Sequence, residues 1–219
     1  MRTITVTGSG SIHVVPDVTR IETNITGVFK TYEEAYAQAK ENSLWMVKIL
    51  EYNHKNGKLA KTTSLDITDH TIPQYDEDGN YIESIKQGYD MVQRIKVDIG
   101  IDNVLLNNLV RGIGKFIKGA QINIGYTIQD PRPHQLKMLE RAIHDATEKA
   151  NIMVKAAGCK LGEVSSINYS HHDVHMYSQA RNIHSNKEAM ASSPEALDIT
   201  PDDLVISDEV MVIWDIEQA

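Results

Sequence analysis

Between residues 18 and 128 the apolar spacing switches between a period of two and a period near 3.6 in a fixed order. That order constrains the fold more than any other feature of the chain. Residues 18–29 alternate: Thr19, Ile21, Thr23 and Ile25 share one face, and Arg20, Glu22 and Asn24 take the other. Thr31 then opens a helix, because Glu34, three residues on, completes a capping box with it. Tyr32, Ala35, Tyr36, Ala39, Ser43, Met46, Val47 and Leu50 form its apolar stripe to about residue 53, and Asn56-Gly57 ends the run. Residues 61–72 return to alternation with Thr63, Leu65 and Ile67 on one face. Asp76-Glu77-Asp78-Gly79-Asn80 reads as a hairpin loop. The return strand, 83–99, carries Tyr89, Met91, Ile95, Val97 and Ile99 on one face and Arg94, Lys96 and Asp98 on the other. Asp102 caps a second helix with Leu105, Leu106, Leu109, Val110 and Ile113 inside, loosening at Gly112 and Gly114 and stopping near Gly119. Residues 120–128 alternate once more. This β-α-β-β-α-β order is that of a split βαβ unit.

The flanks extend it. Ile4 and Val6 alternate with threonines as a short strand, Gly8-Ser9-Gly10 reads as a turn, and Ile12 and Val14 resume up to Pro16-Asp17. On the far side Asp130 caps a third helix with Pro131 at its first position. Its stripe is Leu136, Leu139, Ala142, Ile143, Ala146, Ala150, Met153, Val154 and Ala157, and Gly158 is a left-handed stop. Residues 163–169 read as a strand and 204–216 as the last, with Val210, Val212, Trp214 and Ile216 on one face. Residues 171–202 are polar without periodicity and read as a mobile insertion. The expected fold is α+β in a single domain over 1–219. It is a mainly antiparallel sheet with helices packed on one face, containing the β-α-β-β-α-β unit followed by a further helix and two strands.

Composition narrows the function classes. At 219 residues, 41% hydrophobic and 24% charged, the chain is neither collagen-like nor disordered. Lys and Arg number 22 against 30 Asp and Glu, a formal net charge of -8. After Lys187 there is no basic residue, whereas Glu188, Glu195, Asp198, Asp202, Asp203, Asp208, Glu209, Asp215 and Glu217 follow. Residues 1–187 are therefore close to neutral, and the acidity marks 188–217 as a segment whose charge steers assembly or aids solubility. A nucleic-acid partner is not expected, since phosphate backbones call for clustered positive charge. The single cysteine, Cys159, excludes an intrachain disulfide and reads as a small buried hydrophobe rather than a reactive thiol. No apolar run approaches the roughly 20 residues a membrane span needs. Met1-Arg2-Thr3-Ile4-Thr5-Val6-Thr7 alternates like a strand rather than like a signal peptide. With Met1 as the natural start the protein is expected in the cytoplasm; with a signal trimmed ahead of it, in the periplasm.

Chemistry-bearing residues cluster weakly. His171, His172 and His175, with Asp173 between and His184 beyond, could ligate zinc or nickel, or form a solvated polar loop. Arg111, Lys115 and Lys118 make one basic helix face, the best anion site on offer, or simply a solvated one. Gly8-Ser9-Gly10 lacks the rest of a phosphate-loop fingerprint. Asp76, Glu77 and Asp78 lack calcium-loop spacing and fit a hairpin tip. Asp202-Asp203 and Asp208-Glu209 read as charge guarding an edge strand rather than as a catalytic dyad. No Ser or Cys sits in a nucleophile motif. No catalytic residue and no cofactor are expected.

In order and spacing the motifs resemble the SIMPL-domain family. Ile4-Thr5-Val6-Thr7-Gly8-Ser9-Gly10 and Val15-Pro16-Asp17 resemble its opening V-x-G-x-G…P-D signature. The capped Ala-rich helix from Thr31, then Lys61-Thr62-Thr63-Ser64, resembles its T-x-x-(Y/F) region, and Gly88-Tyr89 its G-Y-x-A element. Gly119-Ala120, the helix over 136–157 and Gly158-Cys159-Lys160-Leu161-Gly162 resemble its closing A…A-x-x-x-G-x-x-L-G pattern. The similarity covers nearly the whole chain except 171–202. It implies an α+β bacterial protein that builds homo-oligomers, in some relatives rings or channel-like assemblies, with no established catalytic activity. Relatives are mostly exported, some linked to oxidative-stress protection and others to kinase signalling. The expectation is thus a non-enzymatic, self-assembling protein tied to oxidative or envelope stress, with a metal-binding protein using the His-rich loop as the alternative.

Overall fold

The computed structural model describes residues 2–169, 178–184 and 201–218. Eight strands and three helices follow in the order β1 (Thr3–Val14), β2 (Val18–Phe29), α1 (Tyr32–Tyr52), β3 (Ala60–Tyr75), β4 (Tyr81–Gly100), α2 (Asn103–Phe116), β5 (Ala120–Thr127), α3 (Arg132–Ala156), β6 (Cys159–Asn168), β7 (Ser178–His184) and β8 (Leu204–Gln218). They form two sheets, ordered β1-β8-β6 and β3-β4-β2-β5-β7. The β1–β8, β2–β4, β3–β4 and β6–β8 pairings are all antiparallel. The chain divides into two compact units.

One unit holds β1, β6, β8 and α3. The glycines expected to turn the chain instead lie mid-strand, with Gly8 opposite Val210 and Gly10 opposite Asp208. Two glycines two apart contribute no apolar side chains to an alternation, so the sequence shows a break where the strand runs on. Their role is close approach: a Cβ at Gly8 would strike the Ala142 carbonyl oxygen, and one at Gly10 the Met138 carbonyl oxygen. Ala142, Ala146 and Ala150 are completely buried on the facing stripe of α3. Val6, Val210, Val212 and Trp214 pack with these alanines, and Ile12, Val14, Ile128, Met138, Leu204 and Ile206 form a neighbouring cluster. α3 starts one residue later than its sequence suggests. Pro131 occupies the cap position without a side-chain bond, and the Asp130 carboxylate accepts from the Arg132 amide at 3.2 Å. Leu136 and Met153, expected inside, are exposed, and Met138 replaces them. β8 is the central strand, so its acids do not guard an edge. Asp208 is buried and accepts a hydrogen bond from the Tyr169 hydroxyl at 2.8 Å. That bond is the main reason the Tyr169 hydroxyl titrates above its ordinary range. Cys159 opens β6 half-buried, short of the full burial expected.

The other unit holds β2 to β5, β7, α1 and α2, and its order β3-β4-β2-β5 is the split βαβ arrangement. The Thr31 capping box forms: the Glu34 amide donates to Thr31 Oγ1 at 3.2 Å and the Thr31 amide to Glu34 Oε2 at 3.3 Å. Asp102 caps α2 through the Leu105 amide at 2.9 Å. Ile21, Ile25, Met91, Ile95, Ile122 and Ile124 meet Ala35, Ala39, Met46, Leu106, Leu109 and Ile113 in one core. On the opposite sheet face the expected charges meet as cross-strand pairs, Arg20 bonding Asp98 at 2.8 and 2.9 Å. The α1 stripe is rotated from its sequence reading. Tyr32 and Tyr36 are exposed, while Asn42 and Ile49 are buried. Asn42 Nδ2 donates to Gln93 Oε1 at 3.2 Å, and Gln93 Nε2 donates to the Ala39 carbonyl at 3.0 Å and to Ser43 Oγ at 2.9 Å. A register shift at Thr63 takes that residue off the face shared by Leu65 and Ile67, which stand opposite the buried Gln93 and Met91; Ile67 packs on the core, and Leu65 is 38% exposed.

Candidate functional site

β2 stops pairing with β4 at Phe29 opposite Tyr89, so among the described residues β4 residues 81–88 pair with β3 alone. The result is a two-stranded arm about 20 Å long. Its base is fastened by Lys86 Nζ on Asp69 Oδ1 at 2.7 Å, by His70 Nδ1 at 3.0 Å from the Asp90 carboxylate, and by Lys86 lying 4.0 Å from the Tyr89 ring centre. The bond to Asp69 is the main cause that raises the Lys86 ammonium above its ordinary range. Its tip is a turn in which the Asp76 carboxylate accepts from the Asp78 and Asn80 amides at 3.0 and 2.8 Å. Those bonds, the Asn80 amide first, hold Asp76 below the usual carboxylate range. The carboxylate thus serves the turn, in keeping with a hairpin tip.

Between base and tip, nothing among the described residues covers the apolar side chains. Ile72 stands opposite Ile85, and Tyr75 meets Tyr81 edge-to-face at 6.3 Å. These four and Ile82 are 38–59% exposed. β3 is the edge strand of its sheet, but Pro73 interrupts its row of amide donors. The arm therefore offers apolar faces to a partner more readily than a strand edge.

A second feature lies between the helices of the same unit. Gly112 brings α2 against α1, where a Cβ would press on the Ile49 side chain. Beside that crossing runs a groove of about 680 Å³ whose lining includes Trp45, Lys48, Tyr52, Arg111, Lys115 and Phe116. Trp45 and Phe116 stack at 4.7 Å with ring planes 10° apart. Lys48 lies 4.7 Å from the Trp45 ring centre and Lys115 5.0 Å from that of Phe116. Of the basic face read from the sequence, Arg111 and Lys115 line this groove. Lys118 lies past the end of α2 and does not; Lys48 of α1 takes its place. No spacing within α2 could have revealed Lys48, since the helix crossing brings it in.

His171, His172 and His175, the expected metal ligands, lie outside the described residues. Among the described residues no group of three or more His, Cys, Asp or Glu side chains could hold a metal ion, and no helix is long and apolar enough to cross a membrane.

Residues 4–214 match the family described as SIMPL, protein of unknown function (DUF541). The chain is also similar to the "Uncharacterized protein YggE" of Escherichia coli strain K12, of Escherichia coli O157:H7 and of Shigella flexneri. Each is 27% identical over 168 residues, covering 76% of this chain. The match spans 65% of each relative, less than two thirds of its length.

Proposed function

The chain belongs to the SIMPL family, a family of unknown function, and we propose that it is a self-assembling protein whose β3–β4 arm packs against a second copy, with no catalytic step of its own. The observation that carries this reading is the uncovered apolar arm. A two-stranded ribbon is marginal in water without a hydrophobic partner surface. The exposed set of Ile72, Tyr75, Tyr81, Ile82 and Ile85 is rich in the residue types that fill interface centres. Lys86 neutralises Asp69 on the ribbon, but Asp76, Glu77, Asp78 and Glu83 leave the arm acidic, so copies that meet there should associate more tightly as salt screens their repulsion. The role of the assembly, on the family resemblance, lies in oxidative or envelope stress.

Light scattering at micromolar concentration tests the assembly. A mass that is a multiple of the 24.6 kDa chain supports it, and a monomer at every concentration removes it. Survival of a strain lacking the gene under peroxide tests the role, and survival equal to the parent removes that part alone.

A further inference from the structure

We propose that the groove between α1 and α2 binds a small aryl phosphate, with the ring packing on the exposed aromatic surface of Tyr52 and Phe116 and the phosphoryl oxygens meeting Lys48, Arg111 and Lys115. Its volume of about 680 Å³ falls within the range of small-molecule sites. Three cations line it, and none of its ten lining residues is an acid. This is notable in a chain of net charge -8. Arg111 and Lys115 stand four apart on one helix, a like-charge pair that repels unless an anion joins it. The α2 dipole accounts for Lys115 in the last turn, but not for Arg111 one turn earlier or for Lys48 on the other helix. Among the described residues Arg111 has no carboxylate partner, and each lysine is aligned by a ring rather than neutralised by an acid. Rings position the ammonium groups while leaving their charge available.

A guanidinium and two ammonium groups match a phosphoryl dianion, which the planar fork can meet with two parallel bonds. The ring requirement follows from the apolar share of the lining. Of the lining rings, Phe116 is 40% and Tyr52 86% exposed. Both present aromatic surface to whatever enters.

Calorimetric titration with phenyl phosphate, inorganic phosphate and benzyl alcohol tests the site on the full chain. Phenyl phosphate is expected to bind more tightly than either fragment. Its affinity should fall about tenfold or more in Arg111→Gln/Lys115→Gln and several-fold in Lys48→Gln, and stay unchanged in Lys118→Gln. All four side chains are solvent-facing, and matching melting curves establish that the variants fold. Equal affinity in wild type and the double variant overturns the proposal. So does the absence of heat from phenyl phosphate up to about 10 mM with the wild-type chain, which would make the groove a solvated basic face.

Discussion

The backbone amide of Ser9 donates to Asp145 Oδ2 at 2.7 Å, tying the edge strand β1 to α3 across 136 positions of sequence. The contact has two companions one helical turn away on either side. Arg141 donates to the Ser11 carbonyl, and Lys149 Nζ reaches the Thr7 carbonyl at 3.4 Å. Edge strands expose unpaired amides and carbonyls that invite a foreign strand. Here a row of α3 side chains at i, i+4 and i+8 closes the exposed side of β1.

This row gives a pH dependence. Lys149, at 2.7 Å, and then the Ser9 amide hold the Asp145 carboxyl below its ordinary value of 3.8. A depressed folded-state value contributes stability that is complete above the unfolded value and lost as pH falls through the folded one. Melting temperatures of wild type and Asp145→Asn should therefore differ at neutral pH and draw together as pH falls below the ordinary carboxyl value of 3.8. A constant gap down to pH 2 would mean that the charge of Asp145 has no part in it.

Gly8 faces the Ala142 carbonyl, whereas Ser9 is exposed and its hydroxyl reaches Asp145 Oδ2 only at 3.5 Å, so neighbouring substitutions should differ sharply. Gly8→Ala is expected to cost about 3 kcal/mol, because α3 must lift from β1 to admit a methyl group. Ser9→Ala keeps the backbone amide that bonds Asp145 and should stay within about 0.5 kcal/mol of wild type. Urea denaturation of both variants measures the difference; similar midpoints would show that α3 is not in close contact at Gly8.

The buried Asn42–Gln93 pair should behave as a unit. Gln93→Leu strands Asn42 in the core and is expected to cost about 2 kcal/mol. The double variant Asn42→Leu/Gln93→Leu should cost less than the sum of the two singles, because neither amide is left facing an apolar partner, while Gln38 and Ser43, which also bond the pair, are only half-buried. Denaturation midpoints of the four proteins decide it, and strict additivity would place the two amides in water rather than against each other.

The legible parts of the sequence were those where local chemistry sets the structure. The Thr31–Glu34 box, the Asp102 cap and the Asp76–Asn80 turn each depend on residues within five positions. The strand faces of β2 and β4 were legible too, because alternation of Ile and Val with charge leaves one buried side. What could not be read depends on distant partners. Gly8 and Gly10 look like a turn until α3 packs on them. Asp208 looks like an edge guard until β1 and β6 flank its strand and Tyr169 bonds it. Asn42 reads as surface until Gln93 meets it from β4. The basic groove was half visible, since Arg111 and Lys115 share a helix face, whereas Lys48 and the aromatic stack come from the α1 crossing.

The molar mass of the wild-type chain beside an arm variant tests the central claim most directly. Ile72→Ser/Ile82→Ser/Ile85→Ser removes side chains that are 38–56% exposed on the arm and outside the core clusters, so the folded monomer should still melt cooperatively, a few degrees lower at most. By light scattering at equal micromolar concentration, wild type should give a multiple of 24.6 kDa and the variant a smaller mass, down to the single chain. An equal mass for the two proteins, whether monomer or oligomer, would contradict assembly through the β3–β4 arm.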